Sequence, residues 1–120
     1  MEDPVEPLLR SLKALADESR LRILWMLEDR PLCVCELQAA LALAQSTVSR
    51  HLQSLEEAGF VTSERDGPWK DYRLNPLPPP QVHALLSVVR LSAESREGAR
   101  AVRERVKAIH RKNLCGRPAA

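Results

Sequence analysis

The stretch from Leu32 to Ala58, LCVCELQAALALAQSTVSRHLQSLEEA, constrains the chain more than any other. It reads as a short helix, a tight turn and a longer helix. In the longer helix Val48, Leu52 and Leu55 recur at i, i+4 and i+7, a stripe that packs inward. The opposite side carries Ser46, Ser49, Arg50, Gln53 and Glu57, short and rich in donors over its first turns. The turn Ala42-Leu43-Ala44 is small enough for two helices to cross closely, with Leu43 plugging the crossing. Gln45 and Ser46 are polar enough to cap the second helix. Such a unit is either an ordinary αα-hairpin with a solvated face or a helix-turn-helix whose second helix suits the floor of a major groove. Spacing alone does not separate the two.

The residues that follow do. Gly59 reads as a left-handed carboxyl-terminal cap. Two short runs, VTSER and WKDYR, then flank Asp66-Gly67-Pro68, and aspartate-glycine between extended segments signals a hairpin. Pro68 predicts a loop longer than two residues. A charged hairpin directly behind a helix-turn-helix is a wing, from which Arg65, Lys70 and Tyr72 reach phosphate or the minor groove. A solvated edge hairpin would leave the clustering of Arg50, Arg65, Lys70 and Arg73 unused. The expected fold is therefore mainly α with a small β-hairpin, a winged helix-turn-helix, with a DNA-binding core over 17–76 and a wing over about 60–74.

Around this core the chain is a series of helices. The first seven residues, with Pro4 and Pro7, are expected to fray. Leu8, Leu9, Leu12, Leu15 and Ala16 then form a stripe, Asp17 caps the next helix, and Leu21, Ile23, Leu24 and Leu27 give that helix a wide apolar face. Pro31 ends it, and Leu37 and Leu41 anchor the first helix of the motif. After the stiff Leu77-Pro78-Pro79-Pro80 connector, Pro80 starts a helix with Val82, Leu85, Leu86 and Val89 on one side. A last helix places Val102, Val106 and Ile109 together, with Arg or Lys at 100, 103, 105, 107, 111 and 112. That basic helix suits a nucleic-acid arm less well than a solvated amphipathic face, since Glu97 and Glu104 interleave. The terminal stripes exceed what one small core needs, and surplus apolar helix faces usually meet a copy of themselves. We therefore expect a homodimer, with dimerisation helices in 1–16 and 80–112, a flexible tail over 113–120, and two recognition helices one duplex turn apart on a roughly palindromic operator.

At 120 residues the chain is one domain, and a formal charge of +2 does not by itself announce nucleic acid. No apolar run approaches the roughly 20 residues that span a bilayer, and no signal peptide opens the chain, so it is expected in the cytoplasm and away from membranes. Three cysteines, an odd count, argue against a disulfide framework and leave reduced thiols for soft-ion or redox chemistry. Cys33-Val34-Cys35 opens the helix before the recognition helix. Side chains two apart on a regular helix point about 200° apart, so these converge only if Cys33 lies in extended backbone at the helix entrance. There the helix amides would lower the thiol pKa. An ion drawn to both sulphurs would deform the helix start and misplace the helix it positions on DNA. The alternative reading is a cysteine pair that does no more than pack.

LKALADESRLRILWML, LCVCEL, LAQSTVSRHLQSLEEAGFV, the wing and YRL together resemble the ArsR/SmtB repressors, most nearly their arsenic-responsive branch. The resemblance runs from about Leu9 to Asn75 and fades in the last 40 residues. It implies a homodimeric winged helix that represses a resistance operon until a metalloid releases it. It also implies DNA contacts at Gln45, Ser46, Thr47, Ser49, Arg50 and His51, and metalloid ligands at Cys33 and Cys35 for As(III) or Sb(III). The third cysteine of the branch's motif falls on Gln38. Trivalent arsenic favours three soft sulphurs, so Cys115 completes the site, an external thiol or hydroxide does, or the inducer is a methylated arsenical needing only two. The family's zinc sites are a poor match, because His83 and His110 lie far apart without matching carboxylates. Trp25 and Trp69 read as packing residues. Two alternatives remain: a thiol-redox or persulfide switch on the same fold, and a thiol enzyme or arsenical carrier. Against the last stand the missing general base, phosphate loop and pocket-forming sheet.

Overall fold

The computed structural model describes residue 3 and residues 5–94 and 97–109, the side chains of 94, 97–99, 102 and 103 excepted. Along the chain these form α1 (Val5–Leu15), α2 (Glu18–Leu27), β1 (Leu32–Cys33), α3 (Val34–Leu41), α4 (Gln45–Glu57), β2 (Val61–Asp66), β3 (Trp69–Leu74), α5 (Pro80–Glu94) and α6 (Glu97–Ala108). Helices dominate, with one small antiparallel sheet, as a winged helix-turn-helix requires. Helix α1 starts earlier than the sequence suggests: the Asp3 carboxylate accepts the Val5 amide at 3.0 Å. Pro7 is harmless there, because the first amides of a helix have no partner within it.

Asp17 caps α2 as expected, standing in extended backbone and accepting the Arg20 amide at 3.1 Å. Burial pushes its pKa up, but the Arg20 amide, the charges of His51 and Arg20, and the Ser19 amide outweigh it and hold the carboxyl below its ordinary value. Helix α2 stops at Leu27 and turns through Glu28 and Asp29, so Pro31 holds the connection extended rather than ending the helix itself. Ile23, Leu24 and Met26 of α2 meet Leu37 of α3, the Val48-Leu52-Leu55 stripe of α4, and Phe60, all fully buried. Val82 of α5 and Val106 of α6 close the same core. Trp25 donates its indole N–H to the Val89 carbonyl at 3.1 Å, pinning α5 onto α2.

The α3–α4 turn rests on Ala42, whose left-handed φ of 57° ends α3 while its amide donates to the Gln38 carbonyl at 2.8 Å. Ala44 is the N-cap of α4 and no side chain caps it, so Gln45 and Ser46 lie inside the helix rather than capping it. Gly59 takes φ +89°, the Phe60 amide donates back to the Leu55 carbonyl at 2.9 Å, and a Cβ on Gly59 would stand 3.3 Å from the Pro79 ring.

The hairpin departs from expectation. Asp66 pairs with Trp69, so the loop is only Gly67-Pro68. Gly67 takes φ +60° and proline supplies a negative φ after it, the order a tight type II′ turn accepts. Pro68 therefore shortens the loop instead of lengthening it. A third strand was not foreseen: β1 adds to β3 in the order β1-β3-β2, with Leu32 opposite Tyr72 and Cys33 opposite Asp71. No described helix is long and apolar enough to cross a membrane.

Candidate nucleic-acid interface and thiol site

Because Val48, Leu52 and Leu55 are buried, the rest of α4 is presented outward. Gln45, Ser46, Ser49, Arg50 and Gln53 are exposed, and Thr47 is half-buried. Gln53 donates to the Glu57 carboxylate at 3.2 Å. His51 turns partly inward: its Nδ1 accepts from Arg20 Nε at 3.1 Å and lies 3.9 Å from the Asp17 carboxylate. Arg20 also donates to the Lys13 and Ala14 carbonyls at the end of α1, so one guanidinium ties α1, α2 and α4 together.

On the wing, Arg65 and Lys70 face each other across the hairpin and are both exposed, giving it a cationic end. Tyr72 does not join them. It is 9% exposed, paired with Leu32 on one side and Ser63 on the other, and Lys70 Nζ sits 5.4 Å from its ring centroid. A ring so placed supports the sheet, and this takes Tyr72 out of the phosphate-reaching set. Arg73 is paired with Glu64 at 3.3 Å. The Ser63 hydroxyl donates to Glu56 at 3.0 Å, linking the wing to α4.

Cys33 lies in extended backbone, φ −89° and ψ 170°, as the N-cap of α3. This is the non-helical entrance that two converging sulphurs need. It is also the last residue of β1, so the same residue belongs to the wing sheet and to the helix-turn-helix. It is a free thiol, only 2% exposed. The expected lowering of its pKa does not occur. Burial pushes it up, the neighbouring Glu36 carboxylate adds to that, and the Glu36 and Cys35 amides do not make up the difference. Cys35 is half-buried in the first turn of α3. Cys115 and His110 lie outside the described residues, and His83 is exposed on α5.

Sequence reasoning missed Glu36 and Arg30. Glu36 is 3% exposed, and its Oε1 accepts the Cys33 amide at 2.9 Å while the Cys33 sulphur faces the Glu36 amide. This is a capping box with sulphur where a hydroxyl is usual. Glu36 Oε2 accepts from Arg30 Nη1 at 2.9 Å. The cue was present as a glutamate three residues after Cys33, but cysteine is not a standard cap. Gln38 is half-buried on α3. Among the described residues no three His, Cys, Asp or Glu side chains gather as metal ligands do. The donor set that fits a soft trivalent ion is the Cys33/Cys35 pair.

Residues 17–63 match the model of the bacterial regulatory protein, arsR family. The arsenic resistance transcriptional regulator ArsR2 of Pseudomonas putida is 41% identical over 107 residues, 88% of this chain and 87% of that protein. ArsR1 of the same organism is 47% identical over 78 residues, 64% of this chain and 61% of that protein. The arsenical resistance operon repressor of Escherichia coli is 44% identical over 69 residues, 57% of this chain and 59% of its own length. Against these last two relatives the match spans less than two thirds of their length. Among solved structures, the homodimeric winged helix-turn-helix DNA-binding domain Mb0332 of Mycobacterium bovis superposes with a TM-score of 0.64 at 28% identity, covering 81% of this chain and 91% of that one.

Proposed function

The chain belongs to the ArsR family of bacterial regulatory proteins, and from that premise we propose that it is a cytoplasmic transcriptional repressor that binds operator DNA as a homodimer. In this reading it lets go when As(III), Sb(III) or a methylated arsenical is taken by Cys33 and Cys35. The observation that carries the reading is the position of Cys33: one extended residue that ends β1, caps α3, and lies two positions from a second cysteine. Gln45, Ser46, Thr47, Ser49, Arg50 and Gln53 are the reading surface on α4, with Arg65 and Lys70 as wing contacts to phosphate. His51 contributes by holding α4 against Arg20.

The chemistry balances without a redox change at arsenic. Two thiols displace two hydroxyls of arsenous acid as water, and two As–S bonds replace two As–O bonds. A hydroxide, an external thiol or Cys115 fills the third position. Convergence of the sulphurs draws Cys33 and Cys35 out of their present geometry and disturbs α3, on which α4 is seated.

A gel-shift assay on DNA from upstream of the gene tests this. Arsenite under full reduction releases the wild type, whereas Cys33→Ser and Cys35→Ser bind DNA but are not released, and Cys115→Ser behaves as wild type. Release retained in both single variants of the pair overturns the assignment. The placing of Cys33 and Cys35 at one helix entrance also fits a second reading, a thiol-redox switch on the same fold. Release by oxidant alone, with no response to arsenite under reduction, would select it.

A further inference from the structure

The Cys33 amide, Glu36, Arg30 and the end of α6 form one continuous chain of contacts. Arg30 lies in the link between α2 and β1 and uses the two arms of its guanidinium differently. Nη1 donates to Glu36 at 2.9 Å, and Nη2 donates to the Ile109 carbonyl at 3.1 Å and the Val106 carbonyl at 3.4 Å. Val106 lies in the last turn of α6, where its carbonyl also accepts the Ile109 amide at 3.1 Å, and Ile109 directly follows the helix. Glu36 is almost fully buried, and Arg30 and the Cys33 amide supply the partners its two oxygens need there.

We propose that Arg30 and Glu36 are positioning residues that carry the state of the Cys33 site to the carboxyl-terminal end of α6, the helix read as part of the dimer face. The inference rests on the ligand reading given above. The Cys33 amide points at Glu36 Oε1 only while residues 33–36 keep the capping-box geometry. Drawing the two sulphurs together breaks that geometry, because the Cys33 sulphur now faces the Glu36 amide and must leave it to meet Cys35. Glu36 then loses a partner inside the core, where an unsatisfied oxygen is costly. It turns toward the partner that remains, Arg30, and the guanidinium is too rigid a fork to follow and still reach Val106 and Ile109. The last turn of α6 is let go. By this route the thiol site alters the seating of α6 as well as that of α4.

The decisive variant is Arg30→Lys in the full chain. Lysine keeps a charge beside Glu36, so the fold stands, but a single ammonium cannot serve Glu36 and two α6 carbonyls at once. Sodium arsenite is the probe, under full reduction. Arg30→Lys is expected to bind arsenite with the wild-type stoichiometry but, with the end of α6 already released, to bind the operator less tightly without arsenite, so that the ratio of operator affinities without and with arsenite falls at least tenfold. Hydrogen exchange over residues 105–109 of the ligand-free variant is expected to match that of arsenite-loaded wild type. The doubly neutral Arg30→Gln/Glu36→Gln variant, which keeps a hydrogen-bonding side chain at 36, should show the same loss of ratio. A merely structural role would lower melting temperature and leave the ratio unchanged. A wild-type ratio in Arg30→Lys overturns the inference alone. A wild type that arsenite does not release overturns the functional reading first, and the inference with it.

Discussion

Cys33 is a thiol in a place that suits a hydroxyl. Its sulphur occupies the cap position of α3 and is nearly sealed from water, and burial raises its pKa above the ordinary 9.0. The folded protein therefore keeps this proton at a pH where the unfolded chain has lost it. The stabilisation is complete below about pH 9 and drains away as pH climbs toward the folded pKa. Denaturant unfolding under reduction should show wild-type stability falling above pH 9 more steeply than that of Cys33→Ser. At neutral pH the serine variant should lie within about 1 kcal/mol of wild type, since serine is a good cap. The same burial slows attack, because the thiolate is the nucleophile. The rate of arsenite capture should accordingly rise with pH between about 7 and 9, while the final occupancy, set by an exchange of two thiol protons into water, changes little.

At the scale of the elements, the recognition helix is held by the helices beneath it. Asp17 caps α2, and Arg20 one turn on reaches His51 of α4 and the end of α1. Asp17→Ala should cost about 1 kcal/mol in urea unfolding at pH 7, the usual loss of a cap. Because the folded Asp17 carboxyl titrates below 3.8, its contribution is present above that pH and disappears as pH falls through the folded value. Asp17→Asn should keep the cap and lose this acid-dependent part. The cap, the inward stripe of α4, the left-handed Gly59 and the helix begun by Pro80 were legible because each depends on side chains a few residues apart. Three features were not. The two-residue strand β1 is too short to show a period, and its pairing with β3 is a contact across the chain. The tight hairpin was hidden because proline usually signals irregularity, and here its fixed φ fits the second loop position. Tyr72 looked like a groove-reaching residue, and only the addition of β1 beside it shows why it is buried. The thiol pair was visible, but its electrostatics were not. The helix amides favour the thiolate, and the apolar packing around Cys33 opposes it more strongly.

Across the whole molecule the telling fact is which way the first helix faces. Ser11 and Ala14 of α1 are buried, while Val5, Leu8, Leu9 and Leu12 point to solvent, and on the neighbouring α5 Val88 and Leu91 do the same. A lone domain would bury leucine before serine, and the proposed homodimer would cover both faces with a second copy. Leu12 is 43% exposed and Leu91 66%, so glutamate at either position disturbs little within one chain. Leu12→Glu and Leu91→Glu should keep wild-type circular dichroism yet sediment as monomers. Operator affinity should fall by about two orders of magnitude or more, because one half-site then replaces two linked ones. The dependence of binding on salt should drop to about half its wild-type slope, as only one set of phosphate contacts releases counterions. Leu77→Glu is the control, changing a residue 88% exposed on the proline connector, away from α1 and α5, and it should leave mass, affinity and salt slope alone. Dimers that persist in both α1 and α5 variants would place the second copy on another face and remove these helices from its binding.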